Sequence, residues 1–286
     1  MADTIINGGL VLEGGGMRGL YTAGILDFFL EKGLKFDHVY GVSAGAIQMT
    51  NYMSGQKGRG YRVSTQYLDC KEYMSYSNLV KTGDMFGIDM CYRKIPEELD
   101  PIDYEAFDNY PGKGYAVATN IETGRPAYFR LDNLKRDTVA IRASASLPLV
   151  STNVVINGVP YLDGGMSDSI PIKRSIHDKN KKHVIILTRP LGYEKKPTSN
   201  MGLIKLKYHK YPKLIEDLKL RHVRYNQMLD YIHELEAKNQ VFVFRPDSIV
   251  KIDRIEKDVK KLKVLYLQGY HDASINYEIM MEYLNS

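Results

Sequence analysis

The sequence predicts an α/β fold in which a mostly parallel central sheet is covered by helices on both faces. Three observations carry this. Short apolar runs of strand length alternate with longer helical patterns, the order that produces parallel strands joined by crossover helices. The composition, 44% apolar and 26% charged, is that of an ordinary folded protein. The length of 286 residues suits one large domain with a deep core better than two independent ones. One domain over residues 1–286 is therefore expected, with no internal repeat or low-complexity stretch to divide it.

The elements follow in order. Gly9-Leu-Val-Leu-Glu13 is the first strand and ends in a glycine cluster. Leu20, Ile25, Leu26, Phe28, Phe29 and Leu30 then mark a helix that stops near Gly33. His38 to Val42 is a second strand, running straight into Ser43-Ala-Gly-Ala-Ile-Gln-Met, a helix start. Residues 56–112 carry Pro96, Pro101 and Pro111 and read as a cap of short helices and loops. Gly114–Thr119 and Ala127–Leu131 read as strands, and Thr138–Ser146 as a helix ended by Pro148. Asn157-Gly158, between apolar arms 154–156 and 159–162, is a hairpin turn because it supplies two positive-φ positions. A strand His183–Thr188, a loop 189–202, a long helix after Pro212, a strand Val241–Phe244 and C-terminal helices to Leu284 complete the chain.

Charge and cysteine content narrow the function classes. The net charge of +5 is accounted for by residues 205–224. There Lys205, Lys207, Lys210, Lys213, Lys219, Arg221 and Arg224 face only Glu216 and Asp217. A nucleic-acid partner is not expected, because the rest of the chain is neutral. This segment reads as a solvated surface, with contact to an anionic membrane as the alternative. The helix after Pro212 has an apolar face of Leu214, Ile215, Leu218, Tyr225, Leu229 and Ile232, with Arg221 inside it. A membrane-surface helix would gather its cations on one side, so this one reads as sheet-covering. Two cysteines, Cys70 and Cys91, make no disulfide framework. No leader-like or bilayer-spanning run is present, which makes the cytoplasm the expected compartment and any membrane contact peripheral. No metal-ligand spacing occurs and no cofactor is expected.

Three segments carry chemistry. Gly41-Val-Ser-Ala-Gly45 is a G-x-S-x-G pattern between a strand and a helix. That context makes Ser43 a candidate nucleophile, with Gly41 and Gly45 small enough for the sharp turn. Gly14, Gly15, Gly16, Met17, Arg18 and Gly19 follow the first strand. Their amides can form an oxyanion site, and Arg18 can anchor the loop or add positive potential. The same residues fit G-x-G-x-x-G, a dinucleotide pattern. That reading needs an acid at the end of the second strand, where Ser43 stands instead; Asp37 is at the wrong end. The third segment is Asp163-Gly164-Gly165, delivered by the hairpin. A serine needs a base, usually histidine. None of the seven histidines, His38, His177, His183, His209, His222, His233 and His271, has an active-site-like setting. Asp163 takes their place as the candidate, against the alternative of an ordinary Asp-Gly turn.

Together the three segments, in this order, resemble the patatin-like phospholipase family, whose pattern is G-G-G-x-R-G, then G-x-S-x-G, then D-G-A or D-G-G. Ala143-Ser-Ala-Ser-Leu-Pro148 is similar to a further family stretch. The resemblance spans about residues 8–190, leaving 200–286 as a C-terminal extension. It implies a three-layer patatin-like fold and a Ser43–Asp163 dyad without histidine. It also implies an oxyanion held by the amides of Gly15, Gly16 and Met17. The implied activity is hydrolysis of lipid acyl esters of the lysophospholipase or phospholipase A type, with a phospholipid or other acyl ester as partner. A general carboxylesterase and an anion-binding module using the Gly14–Gly19 loop are the competing readings. Tyr73, Met74, Tyr76, Leu79, Val80, Met85, Phe86, Ile88, Met90 and Tyr92, within residues 73–92, are expected to pack as core or to line an acyl channel or lid.

Overall fold

The computed structural model describes residues 3–247 and 251–286. In chain order the elements are β1 (Thr4–Leu12), α1 (Gly19–Glu31), β2 (Leu34–Val42), α2 (Ala44–Met53), α3 (Arg59–Thr65), α4 (Tyr76–Thr82) and α5 (Tyr104–Asp108). They continue with β3 (Lys113–Asn120), β4 (Pro126–Leu131), α6 (Leu134–Ala145), β5 (Val154–Ile156), β6 (Val159–Asp163), α7 (Ile172–His177) and β7 (Lys182–Ile186). The chain ends with α8 (Met201–Lys207), α9 (Pro212–Ala237), β8 (Phe242–Phe244), α10 (Val259–Ile275) and α11 (Tyr277–Asn285).

The strands form one sheet in the order β5-β6-β3-β2-β1-β7-β8, with β4 also paired to β3. Strands β3, β2, β1, β7 and β8 run parallel; β4, β5 and β6 add antiparallel pairs at one end. The mostly parallel sheet is therefore observed. Leu10, Val11 and Leu12 of β1 form an unbroken apolar run because both faces of the strand are covered there. Leu10 and Leu12 point into a core shared with α1, α2, α6 and α10. Val11, between them, points into a second core with Ile172 of α7 and Tyr225, Ile232 and Leu235 of α9. The period of two along β1 thus sorts its side chains into the two outer layers.

The hairpin turn forms as expected, with positive φ at Asn157 and Gly158. Residues 56–112 are the expected cap of short elements, and they include a ten-residue π-helical stretch, Met90–Leu99, around Pro96. Boundaries move outward at three places. β1 starts at Thr4 and absorbs an irregularity between Ile6 and Gly9. β2 starts at Leu34, its half-exposed polar positions concealing it in the sequence. α6 starts at Leu134, where the Asn133 side chain accepts the Arg136 N–H and so caps the helix. Pro212 opens α9 at a position where its missing N–H costs nothing. The C-terminal helices pack on the first one, with Tyr21 donating to Asp272 and Tyr266 donating to Asp27, both at 2.7 Å.

Candidate active site

The register of the sheet brings the three segments together. Leu12 is paired with Gly41, so the glycine loop after β1 and the turn after β2 emerge side by side at the carboxyl ends of parallel strands. Val42 is paired with Val117, and Ala118 with Asp163. Residues 114–117 of β3 pair with both β2 and β4, and residues 118–119 with both β4 and β6, so β6 continues along the edge of β3 that β2 leaves, and Ser43 and Asp163 stand side by side at that junction.

Ser43 has φ +54° and ψ −120°. A non-glycine residue held there stores strain on the order of 1–3 kcal/mol. The turn is tight enough to require glycine on both flanks. A Cβ on Gly41 would sit 2.5 Å from the Ala46 Cα, and one on Gly45 2.4 Å from the Leu12 carbonyl oxygen. The strained residue is braced by the Ala143–Pro148 segment. The Ser43 N–H donates to the Ser144 Oγ at 2.9 Å, and the Asp163 N–H donates to the Ser146 carbonyl at 2.7 Å. The sequence flagged this stretch without giving its serines a task; they tie Ser43 and Asp163 to the end of α6.

Asp163 is buried. Its Oδ1 accepts the Gly165 N–H at 2.7 Å. Burial pushes the carboxyl above its ordinary value of 3.8, opposed by the Ser43 hydroxyl, Arg221, the Gly165 N–H and Arg254. The Ser43 contact falls short of a regular hydrogen bond, and Oδ2 has no partner of good geometry among the described residues. Oδ2 is thus an open acceptor next to the serine.

The glycine loop has two kinds of amide. Met17 donates its N–H to the Arg254 carbonyl at 3.1 Å. The N–H groups of Gly15 and Gly16 have no such partner among the described residues. Gly16, at φ +59°, sits where an added Cβ would lie 2.4 Å from that same Arg254 carbonyl. Arg18 is buried, with its Nε unpartnered among the described residues.

Two recesses meet at Ser43. One, of about 200 Å³, is mainly apolar and runs into the cap, past Ile47, Val63, Phe86, Tyr92 and Ile141. Tyr73, Phe86, Ile88 and Tyr92 do line it, Met74, Met85 and Met90 are buried in the core and Leu79 packs partly buried against it, whereas Tyr76 and Val80 are exposed and do neither. The other, of about 30 Å³, holds Asp163 and several cations. Among these is Arg221, the cation in the apolar face of α9, while the remaining basic residues of 205–224 are exposed.

The histidines stay out of both recesses. His183 is buried against the Ser175 hydroxyl at 2.9 Å, and burial lowers it to about 4. Among the described residues no three His, Cys, Asp or Glu side chains gather to hold a metal ion, and no helix is long and apolar enough to cross a membrane.

Comparison with known proteins adds context. A protein of Escherichia coli (strain K12), YjjU, described as uncharacterized, is 34% identical over 188 residues, covering 63% of this chain and 52% of YjjU. The lysophospholipase nte1 of Aspergillus terreus (strain NIH 2624 / FGSC A1156) is 27% identical over 175 residues, 57% of this chain and 11% of that protein. The chain thus spans about half the length of the first relative and a small part of the second. The crystal structure of VipD from Legionella pneumophila aligns over 97% of this chain and 66% of its own, at 13% identity and a TM-score of 0.46. Residues 211–285 match a domain of unknown function (DUF6363). Residues 10–175, more than half of the chain, match the patatin-like phospholipase model, and the protein belongs to that family.

Proposed function

We propose that the protein hydrolyses acyl esters of lipids, in the manner of a lysophospholipase or phospholipase A, with Ser43 as nucleophile and Asp163 as its base. The observation that carries this reading is the strained Ser43, with a buried carboxylate beside it, at the inner end of an apolar cleft. The name of the nte1 relatives points the same way.

The chemistry follows from the groups present. The Ser43 Oγ attacks the ester carbonyl while its proton passes to Asp163. A carboxylate in the ordinary range is a weak base at neutral pH, and burial makes this one stronger. The new C–O bond leaves a negative charge on the carbonyl oxygen, which the free amides of Gly15 and Gly16 are suited to stabilise. Collapse breaks the ester bond, and the departing alcohol takes the proton from Asp163. Water then repeats the cycle on the acyl-serine and releases the fatty acid. The acyl chain occupies the apolar recess during both halves.

A fluorophosphonate probe tests the assignment. Labelling of the folded protein that disappears in Ser43→Ala supports it. A folded protein that is never labelled, and that turns over no ester in a panel of short-chain esters, lysophospholipids and diacyl phospholipids, overturns it. Activity on short esters alone would move the reading to a general carboxylesterase.

A further inference from the structure

The smaller recess beside Asp163 is lined by five cations: Arg18, Arg189, Lys195, Arg221 and Arg254. They arrive from separate parts of the chain: the glycine loop, two positions in the loop after β7, α9 and the approach to α10. Elsewhere arginines hold carboxylates, as Arg174 does Asp178, Arg224 does Asp217 and Arg245 does Glu236. Among the described residues none of these five is ion-paired. Arg189 stacks over the Tyr193 ring at 4.2 Å, and Lys195 over the Tyr225 ring at 4.0 Å. The Arg221 Nε donates to the Gly165 carbonyl at 2.6 Å. Arg18 is 9% exposed, and its Nε has no partner among the described residues.

Two carboxylates face the cluster and offset only part of its charge. Glu13 directs both of its oxygens at neutral donors. Its Oε2 accepts the Thr188 N–H at 2.6 Å and the Thr188 hydroxyl at 3.1 Å, and its Oε1 accepts the Tyr225 hydroxyl at 2.5 Å. Asp163 serves Ser43 and Gly165. Positive charge is left in excess in a site partly removed from water. Burial and the neighbouring arginines lower Lys195 to about 7 and Arg18 to about 10. Holding like charges together costs stability unless an anion joins them.

We propose that this recess binds the phosphate of the substrate, on the alcohol side of the ester, and so selects acyl esters that carry a phosphate but no amine. The recess of about 30 Å³ has room for roughly two waters, the size of one phosphate group and not of a whole headgroup. Cations converging from several directions suit the three or four oxygens of a phosphate better than the two coplanar ones of a carboxylate. Ser43 and Gly16 line both recesses, so an anion here lies across Ser43 from the apolar cleft. A quaternary ammonium brought beside these cations would be repelled. The favoured class is a glycerol ester ending in a phosphomonoester, whose charge at neutral pH is about −1.5 to −2. The assignment to the alcohol half rests on the esterase reading; the anion site itself does not.

Two measurements separate the ideas. Calorimetry on the full-length Ser43→Ala protein, in phosphate-free buffer, compares glycerol 3-phosphate with inorganic phosphate and glycerol. Saturable binding of glycerol 3-phosphate, weakened about tenfold or more in Lys195→Gln and in Arg189→Gln, is expected, since each removes a charged donor. Turnover then compares a lysophosphatidate with a lysophosphatidylcholine and a monoacylglycerol of the same chain. A preference for the phosphomonoester of about tenfold or more that shrinks in either variant supports the proposal. Binding of glycerol 3-phosphate without turnover of any ester leaves the anion site standing and removes the esterase reading. Turnover of all three at equal rates, without binding of glycerol 3-phosphate, overturns the anion site and keeps the esterase. Tight binding of inorganic phosphate without preference among the lipids makes this a free-phosphate site and overturns its assignment to the substrate.

Discussion

The two recesses that meet at Ser43 are built from different parts of the chain by different physics. The apolar one comes from α2, α6 and the cap, all within residues 10–175, and its walls are side chains that would in any case be buried. The basic one takes Arg189, Lys195, Arg221 and Arg254 from beyond residue 175, and its walls are charges that folding alone would keep in water. The first is walled by groups whose burial favours folding. The second costs the fold something, and that cost is the better pointer to a ligand. The comparison can be broken or sharpened by changing the atoms shared by the two recesses and then the atoms of one alone.

The largest effect is expected at the shared chemistry. Asp163→Asn should lower kcat by about 10³- to 10⁴-fold, at the upper end of what a positioned base contributes. The loss should be equal for every ester, whatever its acyl chain or headgroup, because Asp163 acts on Ser43 and not on either half of the substrate. In the unaltered protein kcat/KM should fall as the pH drops through the raised pKa of Asp163, since the protonated acid cannot accept the serine proton. That acid limb should lie above the ordinary carboxylate value of 3.8. Stability should move the other way. A carboxyl whose folded pKa is raised weakens the fold as pH rises from its unfolded value through its folded one. Asp163→Asn should therefore melt at a higher temperature at neutral pH, with the gain shrinking as the pH is lowered. A variant that loses activity and stability together would make Asp163 a structural residue.

A smaller effect is expected at Gly16, which lines both recesses. Gly16→Ala places a side chain at φ +59° and against the Arg254 carbonyl. It should disturb the loop amides and lower kcat about 10²-fold, the scale of one lost oxyanion donor, with KM less affected. A change in KM alone would remove Gly16 from the oxyanion site.

How much of this was legible in the sequence follows the range of the interactions. Ser43 and the Gly14–Gly19 loop could be read directly, because a sharp turn leaves its signature in adjacent glycines. Asp163 could be read only as the end of a hairpin. Its position beside Ser43 depends on the pairing of β2 and then β6 along one edge of β3, a property of the sheet and not of any segment. Ser144 and Ser146 stood in a noted stretch, but their bonds to Ser43 and Asp163 span the same register. Arg221 left a trace as the one cation inside an apolar helix face. Arg189, Lys195 and Arg254 left none, since a cation in a loop looks the same whether it faces solvent or a site.

The smallest expected effect isolates the apolar recess. Val63, on α3, is buried at the wall of that recess and does not line the basic one. Val63→Phe should fill part of the cap end and shorten the space for an acyl chain. If it excludes one or two methylenes, each worth about 0.8 kcal/mol, kcat/KM for long chains should fall about 4- to 15-fold relative to short ones. Overpacking should cost the fold about 1–3 kcal/mol, so chain-length ratios within the variant are the proper readout. The ranking of headgroups at a fixed chain length should not change, because the two recesses touch the substrate on opposite sides of Ser43. A variant that altered headgroup ranking and left chain-length preference intact would mean that the acyl chain does not lie in the cap, and the division of the ester between the two recesses would have to be reversed.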